Sequence, residues 1–201
     1  MKFNNLHAIL AANGDGLIGD GDKIPWCHPA DLKHFKNVTD DSAIIIGVKT
    51  LIGIAYNYFQ KKTVLPGRKI FVVYQQRSDT DRLKVEKMLE DAGYFDWSNV
   101  TLIAENPIPL DDLKEITALY KYQIFIAGGS RIYDRYMQYA SNVYFTLISI
   151  DDKPDYTNPV YLSNNTRTRL INNLSDCEMV VLKPPKKFEN VTAEFIKILQ
   201  N

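Results

Sequence analysis

The chain has 201 residues, of which 45% are hydrophobic, so it can fill the core of one domain. Lys and Arg total 24 and Asp and Glu total 24, a balance that argues against a nucleic-acid or an anionic-membrane partner. Cys27 and Cys177 are too few and too distant for a disulfide framework or a zinc site, and we expect no metal. No apolar run is long enough for a signal peptide or a membrane span. We expect one cytoplasmic domain over residues 1–201.

Short apolar runs alternate along the chain with segments of helical periodicity. Several runs, such as residues 43–46, are continuously apolar, which is typical of strands covered on both faces. The predicted strands are residues 7–12, 43–46, 69–74, 100–103, 122–127, 142–150, 177–182 and 192–198. The predicted helices are residues 29–37, 49–56, 79–92, 110–120 and 129–139.

This alternation predicts an α/β fold, a single three-layer αβα domain around a mainly parallel sheet of about eight strands. The last two strands follow each other without a helix between them, which predicts an antiparallel C-terminal hairpin. Residues 151–173 are rich in Asn, Asp, Thr and Pro, so we expect a long surface loop there.

The glycine pattern of residues 14–19 matches G-x-G-x-x-G and follows a predicted strand. Residues 20–25 contain too many helix breakers to open the helix that a dinucleotide fingerprint requires. A calcium loop is excluded as well, because an apolar residue and a proline take positions needed for a ligand and a turn. We interpret residues 14–24 as a mobile loop lying over a pocket, with Ile18 and Trp26 as its apolar contacts.

Asp31 is the sole carboxylate in residues 24–35. Pro29 suits the first turn of a helix, which would place Asp31 in that turn. The simplest interpretation is an Asp that faces solvent. However, Phe35 lies four residues later on the same helix face, and Leu32 is a second apolar anchor. Burying a carboxylate on such a face raises its pKa, so Asp31 is a candidate acid–base group.

Two predicted turns from strand to helix are candidate phosphate sites. Residues 128–131 (Gly-Gly-Ser-Arg) follow a strand, and their glycines permit close backbone approach by a ligand. Residues 47–50 (Gly-Val-Lys-Thr) repeat this order. A plain turn that uses glycine for packing would also explain either segment. Together the two sites would hold the two ends of a pyrophosphate.

These motifs, taken together, resemble the dihydrofolate reductase family. They come in the family's order and spacing from residue 7 to about residue 150, and the final hairpin also fits. The matching residues are Ile18-Gly19, Pro25-Trp26, Pro29-Ala30-Asp31-Leu32 with Phe35, Gly47 with Lys49-Thr50, Leu65-Pro66-Gly67-Arg68, and Ala127-Gly128-Gly129-Ser130 with Tyr133.

The resemblance implies reduction of 7,8-dihydrofolate to 5,6,7,8-tetrahydrofolate by NADPH, an oxidoreductase step of one-carbon metabolism and nucleotide biosynthesis. It makes Asp31 the catalytic residue, which binds the pterin and assists protonation of N5 through water. The resemblance also implies that Arg68 binds the α-carboxylate of the substrate's glutamate. It implies that the hydroxyl of Thr146 supports the catalytic acid, Asp31. The implied substrate-binding residues are Ile9, Ala11, Leu32, Phe35, Ile54, Leu65, Arg68 and Thr146. The implied cofactor-binding residues are Ala11, Ile18, Gly19, Trp26, Gly47, Lys49, Thr50, Arg77, Ala127, Gly128, Gly129, Ser130, Arg131 and Tyr133.

The chain departs from the family's pattern where the cofactor's phosphates bind. Val48 replaces a basic residue, and Tyr74 and Gln75 replace a small hydroxyl and a basic residue. We expect Arg131 to hold the 2′-phosphate of NADPH, with Arg77 as the second choice and a reduced margin over NADH. The segment between helix and strand at residues 50–65 is several residues longer than usual, and we expect packing roles for its aromatic residues Tyr56, Tyr58 and Phe59.

Two other functions remain open from the sequence. One is a pyrimidine reductase of riboflavin synthesis, which has the same fold and also uses NADPH. Such an enzyme has no reason to place Asp31 next to Pro25-Trp26. The other is a non-catalytic binding or structural protein that retains the fold. The joint presence of Asp31 and Arg68 argues against it. We expect a monomer whose partners are dihydrofolate and antifolate-type small molecules.

Overall fold

The computed structural model describes residues 2–21, 23–57, 64–93, 98–152, 154–172 and 178–200, excluding the side chains of residues 55–57 and 172. The strands are β1 (Phe3–Asn13), β2 (Leu17–Asp20), β3 (Ala43–Gly47), β4 (Lys69–Tyr74), β5 (Val100–Ala104), β6 (Ile124–Ile126), β7 (Ala140–Ile150), β8 (Pro159–Tyr161), β9 (Glu178–Phe188) and β10 (Val191–Leu199). The predicted packing of Tyr56, Tyr58 and Phe59 concerns side chains that lie outside those described. Cys177 also lies outside the described residues.

The helices are α1 (Pro29–Val38), α2 (Val48–Asn57), α3 (Asp81–Asp91), α4 (Pro109–Leu119), α5 (Ser130–Tyr136) and α6 (Asn164–Arg167). A 3₁₀ turn (Met137–Tyr139) continues α5, and a π-helical turn (Thr168–Asn172) continues α6. Among the described helices, none is both long and apolar enough to cross a membrane.

Eight strands form one sheet in the order β5-β4-β3-β6-β1-β7-β10-β9. The first six run parallel, so that the carboxyl ends of β3, β4, β5 and β6 share one edge of the sheet. β10 is antiparallel to β7 and to β9, which confirms the predicted C-terminal hairpin. The remaining strands, β2 and β8, form a separate antiparallel pair.

The central strands are buried on both faces, which explains their continuous apolar sequence. In β3, Ile44 and Ile46 pack with Leu51 of α2 in one core. The alternate residue Ile45 packs in a second core with Ile132 of α5. Successive side chains of a strand point to opposite faces, so helices cover both sides of the sheet. The predicted three-layer α/β fold is confirmed.

The predictions for residues 14–24 and 151–173 are wrong in part. Residues 17–20 are not an unpaired glycine loop, because they form β2 and pair with β8. The predicted surface loop likewise contains β8 and α6, with Leu162 and Leu170 buried. β2 and β8 depend on pairing with each other across distant segments, which short strand sequences do not reveal.

β9 continues to Phe188, beyond the predicted end at residue 182. Pro184 and Pro185 lie within this strand, which pairs with β10 on one side and is the last strand of the sheet. Proline lacks an N–H and is therefore tolerated at a sheet edge, where that donor has no partner strand.

Candidate active site

Asp31 lies in the first turn of α1 and is 9% exposed. Burial raises the pKa of its carboxyl above the usual range. The Thr146 hydroxyl and the nearby Trp26 indole N–H lower that pKa by less, as does electrostatic attraction to His28. Desolvation is the larger effect, so Asp31 keeps a proton to higher pH than an exposed aspartate does.

The residues before α1 fix the position of Asp31. His28 is extended (φ −138°, ψ 101°), and its Nε2 donates to the Lys186 carbonyl of β9 at 3.0 Å. Trp26 packs with Ile148 and Phe195 in a third apolar cluster. The Trp26 Nε1–H is buried and, within the described residues, makes no hydrogen bond of normal geometry. The buried Asp31 carboxyl therefore lies beside an indole N–H that lowers its pKa without making a hydrogen bond of normal geometry.

β1 and β7 form the floor beneath Asp31. Ala11 of β1 lies opposite Thr146 of β7, and Thr146 is buried. The hydroxyl of Tyr133, a residue predicted to contact the cofactor, donates to the Ile9 carbonyl at 2.9 Å. Burial raises the pKa of this phenol, and the nearby Asp31 charge adds to the rise. Tyr133 thus remains a neutral donor that holds β1.

Three of the predicted apolar wall residues share one environment. Phe35, Ile54 and Leu65 are each half-buried and pack against the core that contains Ile44 and Leu51. Leu32 is different, because it is 46% exposed and does not anchor α1. Its side chain can contact a substrate, but it contributes little to the core.

Arg68 is buried, and its guanidinium is bound by the protein on several sides. Its Nε donates to Thr39 Oγ1 at 2.9 Å, and its terminal nitrogens donate to the carbonyls of Pro66 at 2.8 Å and Lys36 at 2.7 Å. Asp40, at 3.9 Å, is mostly exposed. These contacts join the end of α1 to the segment before β4, so Arg68 has a structural role as well as any ligand role.

The two predicted phosphate turns meet at the ends of β3 and β6. The Gly47 N–H donates to the Gly128 carbonyl at 2.8 Å, and the peptide between Gly128 and Gly129 is cis. A Cβ on Gly47 would lie 3.2 Å from Ile132, and one on Gly129 would lie 3.0 Å from Thr50 Oγ1. Larger residues would therefore push the turns apart.

We call residues 47–50 and 127–130 the glycine cradle. It brings together predicted cofactor residues, including Ala127 and the half-buried Ser130, and it leaves Lys49 exposed at the start of α2. Bare glycine backbone beside the unpaired N–H groups of a helix start fits a pyrophosphate. The residues present therefore fit a dinucleotide cofactor.

β2 brings the last predicted cofactor residues to the site region. Ile18 and Gly19 lie on this strand, and Ile18 is half-buried against the core that contains Tyr133. The turn before β2 is held by the Asn13 side chain, whose Oδ1 accepts from the N–H of Asp15 at 3.0 Å and of Leu17 at 2.8 Å. β2 is thus held at its start by Asn13 and along its length by pairing with β8.

The cations predicted for the 2′-phosphate differ in their partners. Arg131 makes an ion pair with Glu105. Arg77 is exposed and contacts the Gln75 side-chain carbonyl at 2.8 Å. The predictions overlooked Glu105, although it directly follows β5 at the same sheet edge as the cradle. They also overlooked His28 and Thr39, which hold Asp31 and Arg68 in place.

A family model described as dihydrofolate reductase matches residues 5–170. Dihydrofolate reductase type 9 of Escherichia coli is 31% identical over 151 residues, which cover 75% of this chain and 74% of the relative. Dihydrofolate reductase of Buchnera aphidicola subsp. Acyrthosiphon pisum is 33% identical over 157 residues, which cover 78% of this chain and 80% of the relative.

A solved structure has the same fold. It is that of dihydrofolate reductase from Enterococcus faecalis complexed with NADP(H) and RAB-propyl, and it aligns with a TM-score of 0.64. The alignment covers 100% of this chain and 99% of the other at 20% identity.

Proposed function

Because this chain belongs to the dihydrofolate reductase family, we propose that it reduces 7,8-dihydrofolate to 5,6,7,8-tetrahydrofolate with NADPH. The buried carboxyl of Asp31, with its raised pKa, is the observation that carries this proposal. NADPH, when bound, supplies the hydride, so the protein must supply orientation, one proton route and exclusion of water.

Asp31 assists the protonation of N5 of the pterin. A protonated carboxyl at neutral pH is the useful form, and burial favours that form. The Trp26 Nε1–H lies near Asp31 without a hydrogen bond of normal geometry, so it is placed to hold a water there, and this water would carry the proton to N5. Thr146 supports the carboxyl from β7. His28 positions the start of α1 through its bond to β9.

The apolar residues orient the substrate rings. Phe35, Ile54 and Leu65 flank the pterin and benzoyl rings, with the exposed Leu32 at the rim and the backbone of Ile9 and Ala11 below. Arg68 holds the glutamate α-carboxylate, a task that suits a planar guanidinium. Its hydrogen bonds to Thr39 and to the carbonyls of Pro66 and Lys36 fix the guanidinium in place before the substrate binds, which reduces the entropy lost on binding.

The glycine cradle holds the cofactor's pyrophosphate, with the exposed Lys49 as a cation and Thr50 as a hydroxyl. Ile18 and Gly19 of β2, together with Trp26, cover the nicotinamide side and exclude water from the reacting rings. Tyr133 acts from beneath by fixing Ile9. We also propose that residues 1–201 form one domain that works as a cytoplasmic monomer without a nucleic-acid partner.

The test is the fall in near-ultraviolet absorbance of NADPH with and without dihydrofolate. We expect oxidation that requires dihydrofolate. A protein that oxidises NADPH only with a ribosylated pyrimidine substrate would be the riboflavin-synthesis reductase. If the folded protein binds NADPH but neither substrate leads to its oxidation, the protein is non-catalytic.

A further inference from the structure

The position of the adenosine half of the cofactor follows from the sheet order, if the proposed function holds. Asp31 and Thr146 mark the reacting end, beside β1 and β7. The glycine cradle lies at the ends of β3 and β6. β4 and β5 lie on the other side of the cradle from β1 and β7. A dinucleotide with its reactive ring near Asp31 must therefore extend its adenosine half across the ends of β4 and β5.

A cleft is present at that place. It has a volume of about 270 Å³ and is lined by residues 75–77 and 105–107 and by Arg135. The two strand ends that form it are joined by a hydrogen bond from the Glu105 N–H to the Tyr74 carbonyl at 2.9 Å. The cleft lies where the adenosine ribose of such a cofactor would bind, and most of its lining side chains are polar.

Carboxylates neutralise two of the three arginines around this cleft. Glu105 pairs with Arg131 and, at 3.0 Å, with Arg135. Asp112 is fully buried and pairs with Arg135 at 2.6 Å. These two cations and two anions leave no net charge. Within the described part of the chain, the guanidinium of Arg77 contacts Gln75 and has no carboxylate partner.

We propose that Glu105 determines cofactor specificity in this chain by weakening the preference for a 2′-phosphate over a free 2′-hydroxyl. Its carboxylate repels a phosphate of like charge, neutralises Arg131 and accepts a hydrogen bond from a ribose hydroxyl. Arg77 is then the cation that holds the 2′-phosphate. This order reverses the one expected from the sequence, in which Arg131 came first.

The test measures binding, not turnover. Dissociation constants of NADP⁺ and NAD⁺ are determined by isothermal titration calorimetry for the native protein, Glu105→Gln and Arg77→Gln. We expect the NAD⁺-to-NADP⁺ ratio of dissociation constants to rise about tenfold in Glu105→Gln and to fall about tenfold in Arg77→Gln. Glu86→Gln is the matched control, because it also removes a carboxylate paired with an arginine, Arg82 on α3, and it should leave the ratio unchanged.

The outcomes separate this inference from the proposed function. If the native protein binds neither dinucleotide, the proposed function fails. If it binds both, and Glu105→Gln changes the ratio by less than about twofold, the role of Glu105 is overturned. Glu105→Ser provides a second variant should Glu105→Gln not fold. A ratio that Arg77→Gln leaves unchanged overturns the assignment of Arg77.

Discussion

Burial of Asp31 predicts a specific dependence of turnover on pH. The raised pKa keeps the carboxyl protonated to higher pH, so the rate of hydride transfer should fall as pH rises through that pKa. Asp31→Asn retains the size of the side chain but removes the proton donor. We expect turnover at neutral pH to fall about 10²–10⁴-fold in this variant. The deficit should shrink at lower pH, where solvent can protonate N5.

Stopped-flow absorbance of NADPH across the pH range measures this effect. Asp41→Asn is the control, because it makes the same change at an exposed residue. Near-normal turnover of Asp31→Asn at neutral pH would remove Asp31 from the mechanism.

Arg68 should contribute to both substrate affinity and stability. Arg68→Ala should lower kcat/KM for dihydrofolate, a loss of about 2–4 kcal/mol in transition-state stabilisation. The loss should come mainly from a higher KM, because the glutamate tail is held alike in the ground and transition states. Arg68→Ala also removes the donors to the part-buried carbonyls of Lys36 and Pro66, so the free energy of unfolding should fall by about 1–3 kcal/mol for the two together.

A pterin substrate without the glutamate separates the two roles of Arg68. With that substrate, Arg68→Ala should cause no loss in kcat/KM. Equal losses with both substrates would mean that Arg68 is only structural. Arg82→Ala removes an exposed arginine from α3 and serves as the control for both kinetics and urea denaturation.

At the scale of elements, α1 carries a group that makes the fold sensitive to acid. His34 is 2% exposed and packs against the Phe195 ring at 4.8 Å. The Lys183 ammonium of β9 donates to its Nδ1 at 3.3 Å, which requires a neutral ring. Burial, with the Lys183 charge, lowers the pKa of His34 to about 4.

The sign of the effect on stability follows from this pKa. The unfolded chain takes up the proton near pH 6.5, and the folded chain takes it up near 4. Stability is therefore retained above pH 6.5 and declines by about 3 kcal/mol as pH falls to 4. His34→Phe should reduce this decline in urea denaturation. Part of it should remain, because burial also lowers the pKa of His7. An unchanged decline would contradict the assignment.

The turn that leads into β2 is held by the side chain of Asn13. Asn13→Ala leaves the Leu17 N–H unpaired in a buried position, at a cost of about 1–3 kcal/mol. We expect amide hydrogens of residues 17–20 to exchange faster and KM for the cofactor to rise, because Ile18 and Gly19 lie on this strand. Asn5→Ala, which removes an exposed hydrogen bond from the side-chain amide of Asn5 to the Tyr122 carbonyl, is the control. Unchanged exchange in β2 would show that pairing with β8 alone holds the strand.

At the scale of the whole molecule, local signals predicted most of the layered fold. The continuous apolar run of β3 predicted burial on both faces, and Pro29 predicted the start of α1. Both features are determined by residues that lie close together in the sequence. The burial of Asp31 was predictable for the same reason, since Phe35 lies on its face of the helix.

Features that join distant segments were not predictable in this way. The pairing of β2 with β8 joins strands of 4 and 3 residues, too short to show a periodicity. The sequence predicts that Arg68 holds a ligand, but it does not show that Thr39 and two carbonyls from separate segments bind Arg68. The neutralisation of Arg131 depends on the ends of β5 and β6 meeting at one edge, which requires the sheet order.

The interior place of β1 in the sheet affects how the chain is made. Leu6 pairs with Ile124, and Ala11 lies opposite Thr146, so both neighbours of β1 are translated long after it. At about 5–20 residues per second, β1 waits on the order of ten seconds on the ribosome for its partners. Its apolar face stays uncovered during that time and is exposed to aggregation or to chaperones. A nascent chain that stops before β7 lacks Thr146 beside Asp31, so the proposed active site is complete only late in synthesis.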